Sequence, residues 1–427
     1  MPQLVKILVH DLKFGMYVSK LDRPWTETPF IFQGFEITNT ETIEQLSEYC
    51  EHVFVDPEIS KIDLQTGAAR IANKPKPKPA PVRIRHRIGQ HDEQHEDPQE
   101  LFKYSEFKQE LTHAIDIHQS AHNYIKTVMQ EVRVGHSIDT KNAKLLVSDL
   151  VDSVVTNATA LLWLTNLKER DEYTSQHSLN VCILTLVFGR HLGLSTEVLN
   201  RVGVGALLHD IGKLRVPLNI LNKPSTLTEQ EFGIMKKHPI YGFDLLKNKP
   251  GLHDISMDII QHHHERMNGS GYPDGLTGEY ISHYTKMVSI IDVYDAITSK
   301  RVYHDEATPY EALNILYQDS ENKIDRELLE QFIKCVGIYP VGSVVELNTG
   351  DIGIVVATSD KHHLHPVLML VLDKNKKHYE QRKFINLAHP KFINQKTPLS
   401  IIKIIAPETL GIDLTSLFRQ ETLSRTA

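Results

Sequence analysis

The chain carries 24 histidines in 427 residues, and the question is whether they gather where they could hold metal. DEYTSQHSLNV holds His177, and ALLHDIGKLRVP holds His209, Asp210 and Lys213. MKKHPIYG holds His238, and IIQHHHERMNGSGYPDGL holds His262, His263 and His264. SIIDVYDAITSKRVY follows with Asp292, Asp295 and Arg301. Each cluster interrupts an apolar helical pattern. Val202, Val204, Leu207 and Leu208 lead into His209-Asp210, and Met287, Val288, Ile290 and Ile291 lead into Asp292. An imidazole or carboxylate facing a core is costly unless it is paired or coordinated. A lone one is usually a satisfied core histidine; several on successive helices point to a shared site.

The donor set defines the chemistry. Imidazole and carboxylate without thiolate suit Fe, Mn, Zn, Co or Ni better than a cysteine-rich zinc site. Five histidines and two aspartates exceed what one metal needs if water is to keep an open position. Two metals bridged by the Asp210 carboxylate fit the count. Metals about 3.5–4 Å apart can share a hydroxide and clamp a phosphoryl group during in-line displacement.

The elements that must position these groups are helices. The steps from His177 to His209, Asp210 to His238, His238 to His263 and His264 to Asp292 are each about one helix-loop-helix unit. In a bundle that regular return can bring every cluster to one centre. Helical periodicity begins near 101 and continues to about 335. Phe107, Leu111, Ile115, Ile125, Val128, Met129 and Val132 mark a long first helix. It either pairs with its copy, making a homodimer, or packs within one chain, because His118 and His122 break the seam. A second helix is expected over about 139–168. Residues 101–150 are thus linking helices before a core at 151–336.

Outside this core the patterns change. Residues 1–72 read as a small α/β unit: KILVHDL, GMYVSKL and VFVD as strands, TIEQLSEYCEH as a helix. RPWTETPFIFQGFEI within it is either a packed loop or a docking surface. Residues 73–100, with NKPKPKPAPVRIRHR, are a Pro/Lys-rich and charged linker. SVVEL-NTGD-IGIVVAT and HPVLMLVLD-KNKK-HYEQRKFINL are hairpins, giving a small β-meander or barrel over 337–405 before a loose tail at 406–427. His362, His363 and His365 sit between those strands without a nearby carboxylate and read as a surface turn. The fold class is mainly α, a helical-bundle core with a small N-terminal α/β unit and a small C-terminal β-rich unit.

Composition removes several function classes. Lys+Arg is 47 against Asp+Glu 54, net −7, which opposes coating a nucleic-acid backbone. Apolar runs such as Val181–Phe188 fall short of the roughly 20 residues that span a bilayer. The first residues lack a signal-peptide pattern. Cys50, Cys182 and Cys335 make no disulfide framework. The expectation is a cytoplasmic protein without membrane or nucleic-acid partners.

HDIGK at 209–213, HHERMNGSGYPDGL at 263–276 and DVYDAITSKRVY at 292–303 resemble the HD-GYP family, HD-domain phosphohydrolases that hydrolyse cyclic di-GMP. The resemblance covers about 150–335. The N-terminal unit is also similar to a domain of unassigned function often fused in front of HD-GYP domains. The resemblance implies His177, His209 and Asp292 on one metal, His238, His263 and His264 on a second, and Asp210 between them. Fe or Mn is the implied pair. Some members hold a third metal through a Glu four residues before the first ligand His. Tyr173 stands there instead, which favours two metals and pGpG as the main product over complete conversion to GMP.

The remaining roles have two readings each. Lys213 neutralises phosphate charge or is an exposed helix-end lysine. Arg301 binds the second phosphate or a guanine, or pairs with Asp295. Asp295, one turn from Asp292, and Glu265, beside His264, are expected behind the ligands. His262 points elsewhere. Asn268–Gly275 forms a rigid turn; the resemblance links it to diguanylate cyclase (GGDEF) domains, and its Tyr272 can line the substrate entrance. The rival functions are a catalytically silent cyclic di-GMP receptor and an HD-type hydrolase of another cyclic dinucleotide.

Overall fold

The computed structural model describes residues 4–23, 28, 35–57, 59–62, 104–134, 136, 138–166, 173–299, 307–319, 322–358, 364–393, 397–414 and 416–417. The linker at 73–100, most of the 23–37 segment, Arg301, His362 and His363 lie outside the described residues.

The N-terminal unit is an antiparallel sheet in the order β1-β4-β2-β3. Its strands are β1 (Val5–Leu8), β2 (Tyr17–Leu21), β3 (Phe35–Glu36) and β4 (His52–Val55). Helix α1 (Thr40–Tyr49) begins at Asn39, whose side chain accepts from the Thr42 N–H at 2.8 Å. Val18, Leu21, Ile37, Leu46, Val53 and Val55 are its core. Three of the strands and the helix were legible as alternation and periodicity; β3 is only two residues long and carries no such signal.

The second unit begins with α2 (Tyr104–Arg133) and α3 (Thr140–Leu164). Leu111, Ala114, Ala121, Ile125 and Val128 of α2 are buried, because α2 lies on α3 and on α4 (Tyr173–His191). Asp139 caps α3 by accepting from the N–H groups of Lys141 and Asn142, and α3 kinks at Asn157. By length and composition alone α3 could cross a membrane; here Val147, Leu150, Val151, Val154, Leu161 and Leu164 are buried within the chain.

Helix α4 is apolar on nearly every face, the mark of a central helix. It meets α2, α3, α5 (Thr196–Leu208), α10 (His283–Thr298) and α12 (Arg326–Val336). Between α5 and α10 run a 3-10 turn (Ile211–Arg215), α6 (Leu218–Leu221), α7 (Glu229–Met235), α8 (His238–Leu246) and α9 (Asp254–His262). Helix α11 (Pro309–Asp319) packs on α10.

The chain then forms a five-stranded antiparallel sheet, ordered β8-β7-β6-β5-β9. The strands are β5 (Val344–Leu347), β6 (Ile352–Ala357), β7 (Val367–Leu372), β8 (His378–Asn386) and β9 (Ile401–Ile405). Val345, Leu347, Val355, Leu368, Leu370 and Leu387 form its core. Trp163 of α3 donates its indole N–H to the Val356 carbonyl at 3.1 Å, and the Asn166 amide donates to Val341 at 2.9 Å. The architecture is mainly helical with a small sheet-bearing unit at either end, the class expected from the sequence.

Candidate metal centre

The site sits where helices end inside the core. His209 is the C-cap of α5, whose residues Val202–Leu208 are all buried. Its carbonyls have no next turn to accept from. The His209 Nδ1–H fills that need, donating to the Ala206 carbonyl at 2.7 Å. His238, at the start of α8, donates Nδ1–H to Met235 of α7 at 2.9 Å. His263, just past α9, does the same to Ile259 and Ile260, both at 3.1 Å. A carbonyl only accepts, so all three protons are assigned to Nδ1 and each Nε2 lone pair faces the centre. His177 follows the same rule with a carboxylate, its Nδ1 lying 2.7 Å from Asp295 Oδ2.

Asp210 joins the groups. Its Oδ2 lies 3.4 Å from His209 Nε2 and 3.7 Å from His177 Nε2. Its Oδ1 lies 3.3 Å from His238 Nε2 and 3.8 Å from His263 Nε2. Asp292 Oδ1 stands 3.1 Å from His177 Nε2 and 3.8 Å from His209 Nε2, and its Oδ2 stands 3.7 Å from His264 Nδ1. Two groups of donors therefore form, His177-His209-Asp210 and Asp210-His238-His263-His264, each with its ligand atoms within 4.8 Å of one another. Asp210 is common to both.

Two buried atoms decide whether these residues fit a cation. His209 Nε2 and Asp210 Oδ1 have no hydrogen-bond partner. Leaving such atoms bare in a protein interior is costly, and a divalent ion in each donor group would remove that cost, His209 Nε2 belonging to one group and Asp210 Oδ1 facing the other. The electrostatics agree. Burial works against charge on Asp210, but Lys213 and His209 outweigh it and hold the carboxyl well below the usual range. Asp292 is likewise held low against its burial, chiefly by its bond to His177. Burial, with other imidazoles nearby, pushes His263 and His264 well below the usual imidazole range, keeping both neutral. His177 runs the other way. Burial opposes its charge, yet bonds to Asp292 and Asp295 raise it to about 9. Without metal, a proton therefore occupies the Nε2 position, and a cation binding there must displace it. Affinity for a divalent ion is thus expected to fall in acid, which a metal titration at several pH values checks.

Lys213 forms an ion pair with Asp210. Tyr272 lays its ring on His264, centroids 4.7 Å apart. Glu265 is buried but touches no ligand imidazole; it accepts from the backbone N–H groups of Asp274, Gly275 and Leu276. His262 points away, to Asp258 at 2.7 Å and Asp274 at 3.1 Å. The Tyr173 backbone opens α4. Arg301 lies outside the described residues; Asp295 meets His177, Asn180 and Ser299. Sequence reasoning passed over Asp258, Gln176 and Asn180. The signal was present for Asn180, a polar residue three positions after His177 in an otherwise apolar run.

The glycines of the two motifs are packing devices. A Cβ on Gly212 would stand 1.9 Å from the His238 carbonyl oxygen and 2.4 Å from the Gly242 nitrogen. The 3-10 turn lies directly on the α8 backbone, and this contact sets where His238 points. Gly212→Ala is expected to destabilise the fold by about 1–3 kcal/mol and to reduce the divalent metal bound per chain. A thermal melt and metal counting check both; an unaltered stoichiometry with an unaltered melt would contradict the contact's role.

Comparisons with known proteins match three regions of the chain. Residues 161–328 match the model of an HD domain, 4–143 that of a domain of unknown function (DUF3391), and 344–411 that of a KOW domain associated with HD domain. The chain is 34% identical over 366 residues to the cyclic di-GMP phosphodiesterase PA4108 of Pseudomonas aeruginosa, covering 85% of this chain and 84% of that protein. It is 36% identical over 169 residues to the cyclic di-GMP phosphodiesterase response regulator RpfG of Xanthomonas campestris, covering 39% and 45%. It is 31% identical over 191 residues to 3'3'-cGAMP-specific phosphodiesterase 1 of Vibrio cholerae, covering 44% of each. The chain spans less than half the length of the last two.

Proposed function

The chain belongs to the HD-GYP family of HD-domain proteins, and on that footing we propose that it hydrolyses a phosphodiester bond of cyclic di-GMP, giving mainly pGpG, with GMP from a second step. The observation that carries the reading is Asp210, with one carboxylate oxygen toward each histidine group. His177, His209 and Asp292 would hold one divalent ion and His238, His263 and His264 the other, with Asp210 offering an oxygen to each. Fe or Mn is the pair that the family resemblance implies, within the Fe, Mn, Zn, Co and Ni range that the donor set allows. Bound there, the ions supply an activated water and charge neutralisation at phosphorus. The chain's own groups do the rest. The Nδ1 anchors keep the imidazoles aimed. Lys213, beside Asp210, places an ammonium where the phosphoryl oxygens gain charge. Tyr272 narrows the approach over His264, and Arg301 takes the second phosphate or a guanine.

Other roles follow from the same reading. Asn268, Ser270, Asp274 and Gly275 of the loop are exposed and offer the contact for diguanylate cyclase (GGDEF) domains. The protein works in the cytoplasm, as a monomer or a homodimer.

The relative specific for 3'3'-cGAMP favours a second reading, hydrolysis of that dinucleotide. Anaerobic purification, metal counting and product analysis on both cyclic dinucleotides separate the two. Two metals per chain and pGpG from cyclic di-GMP are expected. Intact cyclic di-GMP beside consumed 3'3'-cGAMP would move the assignment to the second reading. Binding without turnover across several metals would make the protein a receptor instead.

A further inference from the structure

A row of buried polar side chains runs from α2 to the metal centre, and none of them is a proposed ligand until its end. His118 of α2 and Gln176, Asn180 and Asp295 are all buried. His118 Nε2 lies 3.4 Å from Gln176 Nε2. Gln176 donates from the same nitrogen to Asn180 Oδ1 at 2.9 Å. Asn180 donates from Nδ2 to Asp295 Oδ1 at 3.0 Å and to the Thr165 carbonyl at 3.2 Å. Asp295 Oδ2 then meets His177 Nδ1 at 2.7 Å. One turn along α2, His122 Nε2 lies 3.3 Å from the Ser175 hydroxyl.

The direction of this row is fixed from its inner end. The Asp295 carboxylate only accepts, so Asn180 must present its nitrogen there. Its oxygen then faces outward and demands a donor, which Gln176 supplies. The Gln176 nitrogen in turn needs an acceptor, so His118 must be neutral with its proton on Nδ1. Burial, and then His122 beside it, lower the His118 pKa to about 4, which keeps it neutral. Turning Asn180 over would set its oxygen against the Asp295 carboxylate, and turning Gln176 over would set its oxygen against Asn180 Oδ1. An apolar contact between α2 and α4 would cost less than burying these groups, so packing alone does not account for the row.

We propose that Asn180, Gln176 and His118 are positioning residues for His177: they fix the Asp295 carboxylate, and through it the aim of His177 Nε2, so that α2 is part of the metal centre. The matched domain of unknown function runs to residue 143 and so includes α2, which gives that region a physical hold on the site. The inference rests on the metal-ligand reading of His177.

The test uses the full chain stripped of metal and titrated with Mn²⁺ by calorimetry. Asn180→Leu is expected to weaken one of the two sites by about 10-fold and leave the other near its wild-type affinity. His118→Leu is expected to weaken the same site, and His118→Gln, which restores an acceptor, to recover it. His118→Leu combined with Asn180→Leu is expected to be no worse than Asn180→Leu alone, since both cut one row. If Asn180→Leu does not fold, Asn180→Ser carries the same expectation. Val128→Ala, an α2 core change away from the row, is the control for lost stability. Wild-type Mn²⁺ affinities in the row variants would overturn the inference, as would an equal loss in Val128→Ala. Fewer than two Mn²⁺ bound by the wild-type chain would overturn the metal-centre reading, and the inference with it.

Discussion

Replacing Asp210 by Asn is expected to lower cyclic di-GMP turnover by about 10³-fold, the upper end for losing one preorganised charged group in a catalytic site. The shape of the side chain survives this change, so the loss isolates its chemistry. In the native site Oδ2 faces His209 and His177 while Oδ1 faces His238 and His263. An amide keeps only one acceptor oxygen. Whichever way it turns, one histidine group meets an N–H donor where a cation should sit. The charge that pairs with Lys213 is lost as well. Metal content is therefore expected to fall from two per chain to one or none, measured on the same preparation as turnover. A variant retaining both metals and more than a tenth of the rate would show that the carboxylate is not shared.

The gathering of these histidines and aspartates was legible because each group breaks an apolar pattern, and an ionisable residue on a core face advertises a partner. Asp292 follows Met287, Val288, Ile290 and Ile291, and all five are buried. The adjacent pair His263-His264 was readable too, since neighbours at a helix end diverge enough to flank one site. What orients the ligands was not legible. The Nδ1 anchors on Ala206, Met235 and Ile259 depend on where α5, α7 and α9 stop, and helix ends are the weakest part of any pattern reading. Glu265 was expected behind the ligands on its position beside His264. Its partners prove to be N–H groups nine to eleven residues later, a relation that only the folded loop creates. Gln176 carries no signal in the sequence, and Asn180 only its polarity within an apolar run. Their burial follows from α2 packing on α4, and the periodicity of α2 left open whether it would pack within the chain or against a copy.

Glu265 supplies the second large effect, and it separates loop placement from metal binding. Its carboxylate, almost wholly buried, accepts from Asp274 at 2.7 Å, Gly275 at 3.0 Å and Leu276 at 2.9 Å. Three donors converging on one anion form a charge-assisted anchor. The loop is also pressed onto this residue, for a Cβ on Gly271 would stand 2.4 Å from Glu265 Cα. Glu265→Gln keeps the volume but turns an NH₂ group toward backbone N–H donors, leaving at least one of them buried and unpaired. The expected cost is about 2–4 kcal/mol, seen as a drop of roughly 5–15 °C in the melting of the helical unit. Tyr272 would then lose its seat on His264, and a displacement of about 1 Å near the reacting centre can cost about 10²-fold in rate. Because Glu265 touches no ligand imidazole, both metals are expected to remain bound. Reduced turnover with full metal content is thus the signature of a displaced loop, whereas loss of a metal in Glu265→Gln would mean that the loop and the centre cannot be separated. An unaltered melt together with unaltered turnover would remove the anchor from the account of the site altogether.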